Sequence, residues 1–307
     1  MITVKPQVGA LFIDKISLTL DVPKQKQIEI VSKLKILNDN HGLYFKHSST
    51  YKYSVNISLD DIMGNPSKII FQCAPTTANK NKKIRFIRVE WNPSKINSSV
   101  VKSTLNQILP GIFHSLQSEG NITRIDLATD IKHVKPGNLL FYYPYIQCSQ
   151  NYFKSGRIES AYLGTKDSDR QIVLYDKKEE QKKKNKKLPF PYPLPLLDLT
   201  RLEIRIRKAM SFAELLKIEN PFANLQLRVS KTPNTGAGFD EYRLFRRLCI
   251  WEGVAQALKQ LSSKEKQTKY LNRIMSELNE FWDPATLWLG LPTALEQAGF
   301  KIKDMAS

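Results

Sequence analysis

Cysteine is scarce: Cys73, Cys148 and Cys249 are odd in number and far apart. Neither a disulfide framework nor a Cys-x-x-Cys metal knuckle is available, and a reducing cytoplasm is the compartment this usage predicts. Histidine is also sparse. His41, His47, His114 and His133 include no His-x-His pair, the spacing that sets two imidazoles on one strand face at metal-ligand distance. Zincins, zinc fingers and nucleases built on paired histidines are excluded, and no histidine is assigned a role. No Gly-x-x-x-x-Gly-Lys-[Ser/Thr] loop cradles a triphosphate. No run approaches the roughly 18 apolar residues of a membrane span, and the start at Met1 lacks the basic-then-apolar build of a secretory signal. The reading is a soluble, non-exported protein with no membrane partner. Negative charge is the last deficit. Twenty-nine Asp plus Glu stand against 47 Lys plus Arg, a net charge of +18, and such an excess predicts a polyanionic partner.

The 307 residues are 41% hydrophobic and 10% aromatic, which suits about two folded domains at roughly 150 residues each and excludes a mainly disordered chain. Alternation predicts a strand at 11–20, and Pro23 opens a helical pattern through Ile28, Val31, Leu34 and Leu37. Strands follow at 51–59, 68–74 and 84–91. A helix through Val100, Leu105, Ile108, Ile112 and Leu116 then leads to Gly120. The next strand is 122–131, followed by a short segment from Pro136 into the aromatic cluster at 141–145, strands at 158–164, 170–176 and 200–207, and a helix from about Ser211.

That order, strand, helix, three strands, helix and then the same again, suggests an internal duplication. Ile13 and Asp14 echo Ile125 and Asp126, while Arg88 and Glu90 echo Arg201 and Glu203, at offsets of 112 and 113 residues. The expected architecture is α+β: an antiparallel curved sheet in residues 1–208, built from two β-α-β-β-β-α halves at 1–120 and 121–208. A helical subdomain for DNA or partner binding occupies 209–307, with Arg243, Arg246 and Arg247 as candidates for partner contact. Residues 177–187 are almost wholly Lys, Glu and Gln and precede Pro189, Pro191, Pro193 and Pro195. This composition predicts an extended arm, either a solvated loop or a phosphate-gripping one.

Three strands carry the chemistry. Period two places Arg124, Asp126 and Asp130 on one face of 122–131 with Ile125 and Leu127 opposite, and Arg201, Glu203, Arg205 and Arg207 opposite Leu202, Ile204 and Ile206. Tyr175 and Lys177 share a third face. If the three faces join, a phenol, an amine, carboxylates and guanidiniums lie together. A tyrosine can then attack a DNA phosphodiester and conserve the bond as a phosphotyrosine, with carboxylates binding Mg²⁺ or Mn²⁺ to neutralise the developing charge. Asp126 and Asp130 stand about 13 Å apart along an extended strand at ~3.3 Å per residue, too far for one ion. Asp126 with Glu203 is the preferred metal pair and Asp130 a further candidate. Lys177 can hold the phosphate or lower the phenol's pKa, and Arg124, Arg201, Arg205 and Arg207, with Lys182, Lys183 and Lys184, are candidate phosphate contacts. The same pattern also arises where Glu and Arg form cross-strand ion pairs on the wet face of an antiparallel sheet.

Arg124, Asp126 and Asp130, then residues 161–181 around Tyr175 and Lys177, then Arg201, Glu203 and Arg205 occur in an order that resembles the replication initiation factor family, Rep_trans. That family comprises rolling-circle initiators of small plasmids and filamentous phages and related relaxases, and the resemblance covers roughly residues 84–215. It implies metal-dependent, site-specific nicking and joining at a replication origin, with Tyr175 as nucleophile and Lys177 beside it. It further implies origin DNA as partner, a free 3′-hydroxyl for a host polymerase and strand separation by a host helicase, with a homodimer as an open arrangement. Some relatives carry a second tyrosine where this chain has Glu179. Tyr142, Tyr143 and Tyr162 read as packing or base-stacking residues. A non-catalytic origin-binding protein, a conjugative relaxase and a metal nuclease that activates water through Asp126, Asp130 and Glu203 are the alternatives.

Overall fold

A computed structural model describes residues 4–41, 44–46, 51–75, 86–144, 146, 148–229, 241–276 and 281–302. His47 and Tyr145 lie outside the described residues. In chain order the strands are β1 (Gln7–Val8), β2 (Phe12–Asp21), β3 (Tyr44–Lys46), β4 (Tyr51–Asp60), β5 (Pro66–Pro75), β6 (Phe86–Trp91), β7 (Asn121–Lys132), β8 (Leu139–Tyr142), β9 (Ser149–Lys154), β10 (Arg157–Leu163), β11 (Arg170–Asp176), β12 (Leu199–Ile206) and β13 (Gln226–Val229). The helices are α1 (Lys24–His41), α2 (Ser98–Ile108), α3 (Ile112–Ser118), α4 (Lys177–Asn185), α5 (Phe212–Leu215), α6 (Glu241–Glu252), α7 (Val254–Lys259), α8 (Lys264–Ser276), α9 (Pro284–Trp288) and α10 (Leu291–Gln297).

The main sheet is antiparallel throughout and runs β3-β4-β5-β6-β2-β7-β12-β11-β10-β9, with β1 also paired to β7. Read outward from the central β2–β7 pair, the order is β2-β6-β5-β4 on one side and β7-β12-β11-β10 on the other. This palindrome is the strand order a duplicated unit produces, and it sets Glu90 of β6 in the place that Glu203 holds in β12. The halves differ between their first two strands. The first has α1 there, the second a 3-10 turn at Pro136–Asn138 followed by β8 and β9.

One face of the sheet is dry. Ile16, Leu18, Ile87, Val89, Ile125, Leu127, Leu202 and Ile204 are buried in one cluster with Ile30 and Leu34 of α1, Val101, Leu105 and Ile108 of α2, Phe113 and Leu116 of α3, and Leu291 and Leu295 of α10. Each such side chain contributes about 1.5–3 kcal/mol relative to exposure. The helix expected through Leu116 is two helices, because Pro110 lacks an N–H and Gly111 takes a φ of 78°. The described residues of 209–307 divide between two cores. Tyr242, Phe245, Cys249, Val254, Tyr270 and Ile274 of α6–α8 pack on Leu140 of β8, whereas Trp282, Leu287, Leu291 and Phe300 join the main cluster. Burial pushes the Cys73 and Cys249 thiols up to about 12. No helix among the described residues is long and apolar enough to cross a membrane.

The expected extended arm at 177–187 is corrected: residues 177–185 are α4. Asp176 caps it by accepting from the Glu179 N–H at 3.0 Å, and Lys177–Glu180 (2.9 Å), Glu179–Lys182 (2.6 Å) and Glu180–Lys184 pair along it. Glu and Lys are good helix formers, and acids in the first turn with bases in the last suit the helix dipole. Only the proline-rich part beyond Leu188 lacks regular structure.

Candidate functional site

The other face of the sheet is polar, and register determines what meets there. Arg201, Glu203 and Arg205 of β12 pair with Tyr175, Val173 and Gln171 of β11, and with Asp130, Ala128 and Asp126 of β7. Tyr175 in turn faces Ser160 of β10, which faces Tyr152 of β9. The expected meeting of the three strands therefore occurs. Its centre is a cleft of about 530 Å³ lined by Tyr175, Glu203, Asp126, Arg124 and Arg205 from the floor, Lys183, Lys184 and Glu180 from α4, Asp14 and Lys15 from β2, and Tyr152 and Tyr162 from the outer strands.

Tyr175 is the most distinctive group. Its hydroxyl donates to Glu203 Oε1 at 2.7 Å. Burial, and after it the Glu203 carboxylate, push the phenol far above its ordinary value, so it stays protonated at neutral pH with a carboxylate in position to take the proton. Glu203 also accepts from Arg205 Nη2 at 2.8 Å, and both carboxylates on the floor are nearly inaccessible, Asp126 at 2% and Glu203 at 3%. Arg124 grips Asp126 with two bonds, 2.8 Å and 2.7 Å. Burial disfavours the Arg124 charge, but Asp126 outweighs that and raises its pKa.

The remaining predicted residues take other positions. Asp130 does not line the cleft: Arg201 holds it with bonds of 2.7 Å and 2.9 Å, and the same guanidinium reaches Asp14 at 3.2 Å. Lys177 pairs with Glu180 at 2.9 Å and lies 5.7 Å from the Tyr175 ring centroid, its pKa lowered by burial and by Arg201. Arg207 donates weakly to Gln171 at 3.3 Å. Lys183 bonds Glu159 at 2.5 Å, and Lys182 pairs with Glu179 outside the cleft lining. Tyr143 is buried and accepts from Arg170 at 2.7 Å, and Tyr142 packs against the second core.

The donor set for a divalent ion does not fit as it stands. Among the described residues no three of Asp, Glu, His and Cys converge tightly enough to hold a metal, and the oxygens of Asp126 and Glu203 are taken by guanidiniums and by the phenol. Ion pairs of the kind the alternative reading expects are present, across strands from Arg201 to Asp130 and within a strand from Arg124 to Asp126 and from Arg205 to Glu203. They continue into the first half, where Glu90 binds Arg88 at 2.5 Å and Lys15 at 3.2 Å. Asp14 and Tyr152 were missed as site residues. Asp14 carried a signal in its echo of Asp126, whereas Tyr152 sits in a polar six-residue edge strand with no pattern to mark it.

No protein-family model matches the chain. A stretch of 102 residues, 32% of the chain, is 33% identical to a replication initiation protein of Staphylococcus aureus and spans 30% of that protein's length. Two further replication initiation proteins of that organism are 33% and 32% identical over stretches of the same length and coverage. Among solved structures, the rolling circle replication initiator protein from Geobacillus stearothermophilus aligns over 76% of this chain and 90% of its own at 14% identity, with a TM-score of 0.38.

Proposed function

We propose that this chain is a rolling-circle replication initiator of the Rep_trans kind, which nicks one DNA strand at an origin through Tyr175 and later rejoins it. The observation that carries the reading is the 2.7 Å bond from the Tyr175 hydroxyl to Glu203 inside a cleft that arginines and lysines share. The sequence similarity to replication initiation proteins supports it. In the proposed step the Tyr175 oxygen bonds to phosphorus as the bond from phosphorus to the 3′-oxygen breaks. The phenol proton passes to Glu203, and the departing oxygen takes a proton from solvent and becomes a free 3′-hydroxyl. Arg124 and Arg205 would keep their carboxylates and offer their other N–H groups to the phosphate oxygens as charge builds. Rejoining is the reverse displacement.

Mg²⁺ and Mn²⁺ enter only as variables of the assay, because the carboxylates do not present an open donor set. Without a triphosphate loop in the sequence, strand separation would fall to a host helicase, and the 3′-hydroxyl would feed a host polymerase in the cytoplasm. A homodimer is compatible with this scheme.

The second reading, a non-catalytic origin-binding protein, is favoured by the pairing of Asp126, Asp130 and Glu203 with arginines. One experiment separates the two. The protein is incubated with 3′-end-labelled single-stranded origin oligonucleotide, so that the label stays on the fragment the tyrosine holds, with Mg²⁺, with Mn²⁺ and with EDTA, and run on a denaturing gel. A labelled band at protein mass, absent in Tyr175→Phe, is the expected outcome. Binding without any adduct, with a supercoiled origin as control, would leave the non-catalytic reading, and free cleaved DNA without an adduct would indicate a hydrolytic nuclease.

A further inference from the structure

We infer that Tyr152 and Tyr162 form a stacking platform for an unpaired nucleobase of single-stranded DNA, one subsite away from Tyr175. The inference rests on the reading of Tyr175 as nucleophile and names what the same cleft recognises. Tyr152 lies on the edge strand β9 and Tyr162 on β10. Their rings meet edge to face at 5.6 Å between centroids, 78° between planes, and both line the cleft.

The register supplies the spacing. Tyr175, Ser160 and Tyr152 are successive partners across β11, β10 and β9, so at ~4.8 Å per strand about 10 Å separates the backbone of the phenol that attacks from that of the ring that stacks. Ser160 between them is small and leaves the intervening floor low. A nucleotide has an anionic phosphate at one end and a flat apolar base at the other. This cleft matches that polarity, with Arg124 and Arg205 on the inner side of Tyr175 and the tyrosine pair on the outer side.

An exposed ring on an unpaired sheet edge is a liability for solubility, and Tyr152 remains 48% exposed. Packing alone does not account for it. In a duplex the base faces are already stacked, so the platform selects a single strand.

The test uses the full chain carrying Tyr175→Phe, so that binding is read without chemistry. Two probes are titrated: a twelve-residue oligothymidylate, and an abasic oligomer of equal length with the same phosphates and no bases. Tyr152→Ala and Tyr152→Leu are expected to weaken oligothymidylate binding about five- to a hundredfold, to leave the abasic oligomer unchanged, and to regain binding in Tyr152→Phe. Equal weakening of both probes, or no change in either, overturns the inference. The edge position tolerates these changes, and circular dichroism of each variant checks that it folds. Failure here is separable from failure of the nicking reading. An adduct formed by the unaltered protein with no base preference removes the platform alone. A base preference with no adduct keeps the platform and removes the nucleophile.

Discussion

At the scale of the residue, the site is defined by who holds which carboxylate. Glu203 is held by Arg205 and offers its other oxygen to Tyr175. Glu203→Gln keeps the shape but cannot take a proton. Its nicking rate is expected to fall about 10²- to 10⁴-fold, with oligonucleotide affinity within about twofold, as read by single-turnover gels beside binding titrations. Wild-type rates in that variant would remove Glu203 as the base. Glu90, its counterpart in the first half, gives a pH signature. Burial raises its pKa, but Lys15 and Arg88 outweigh burial and hold it below the ordinary value. A carboxylate with a depressed native pKa contributes stability above its unfolded pKa of about 4.3 and loses it as pH falls through the native value. Glu90→Gln is therefore expected to be less stable than wild type at pH 7, with the gap narrowing by pH 3. Urea midpoints at the two values check this, and a gap that widens on acidification would contradict it. The identities and face of Arg124, Asp126, Tyr175, Arg201, Glu203 and Arg205 were legible in the sequence, because period two follows from strand geometry alone. Which guanidinium takes which carboxylate was not, because that depends on strand register.

At the scale of the element, α4 and the strap after it show how local chemistry and distant contact combine. The cap at Asp176 and the Lys–Glu pairs make α4 helical, a result open to sequence reading had helix propensity been weighed above net charge. The strap is different in kind. Buried Asn65, in the β4–β5 turn, donates to the Phe190 carbonyl at 2.8 Å and accepts from the Phe190 N–H at 3.0 Å, while Tyr192 bonds Asp61. These contacts tie the β11–β12 connection of one half to a hairpin of the other across 125 residues of sequence. Asn65→Ala leaves the Phe190 backbone without its partners, a cost of about 1–3 kcal/mol in unfolding free energy. Chemical denaturation measures it, and faster proteolysis within 186–198 should accompany it. An unchanged midpoint would show the strap to be peripheral.

At the scale of the whole molecule, the charge is unevenly used. The net charge of +18 belongs to the chain as a whole, whereas acids and bases nearly balance in the cleft. Affinity is therefore expected from the general basic surface, and alignment from the cleft. A plot of log affinity against log salt should be linear and steeply negative, with the magnitude of its slope falling by about 0.7 in Lys184→Ala if that lysine meets a phosphate of a single strand. A flat plot would contradict a phosphate-binding surface. Sequence by itself determined the α+β class, the dry and polar faces of the central strands, the polyanion-seeking charge and the candidate nucleophile. The first three follow from local periodicity or from composition, which need no knowledge of neighbours, and the candidate nucleophile from the resemblance of the motifs around Tyr175. Tertiary structure alone decided the palindromic strand order, the division of the described residues beyond 208 between two cores, the entry of Asp14 and Tyr152 into the cleft, and the capture of Asp126 and Glu203 by arginines. These depend on pairings between segments far apart in the chain. A single residue's slip in register would send every side chain of a strand to the opposite face.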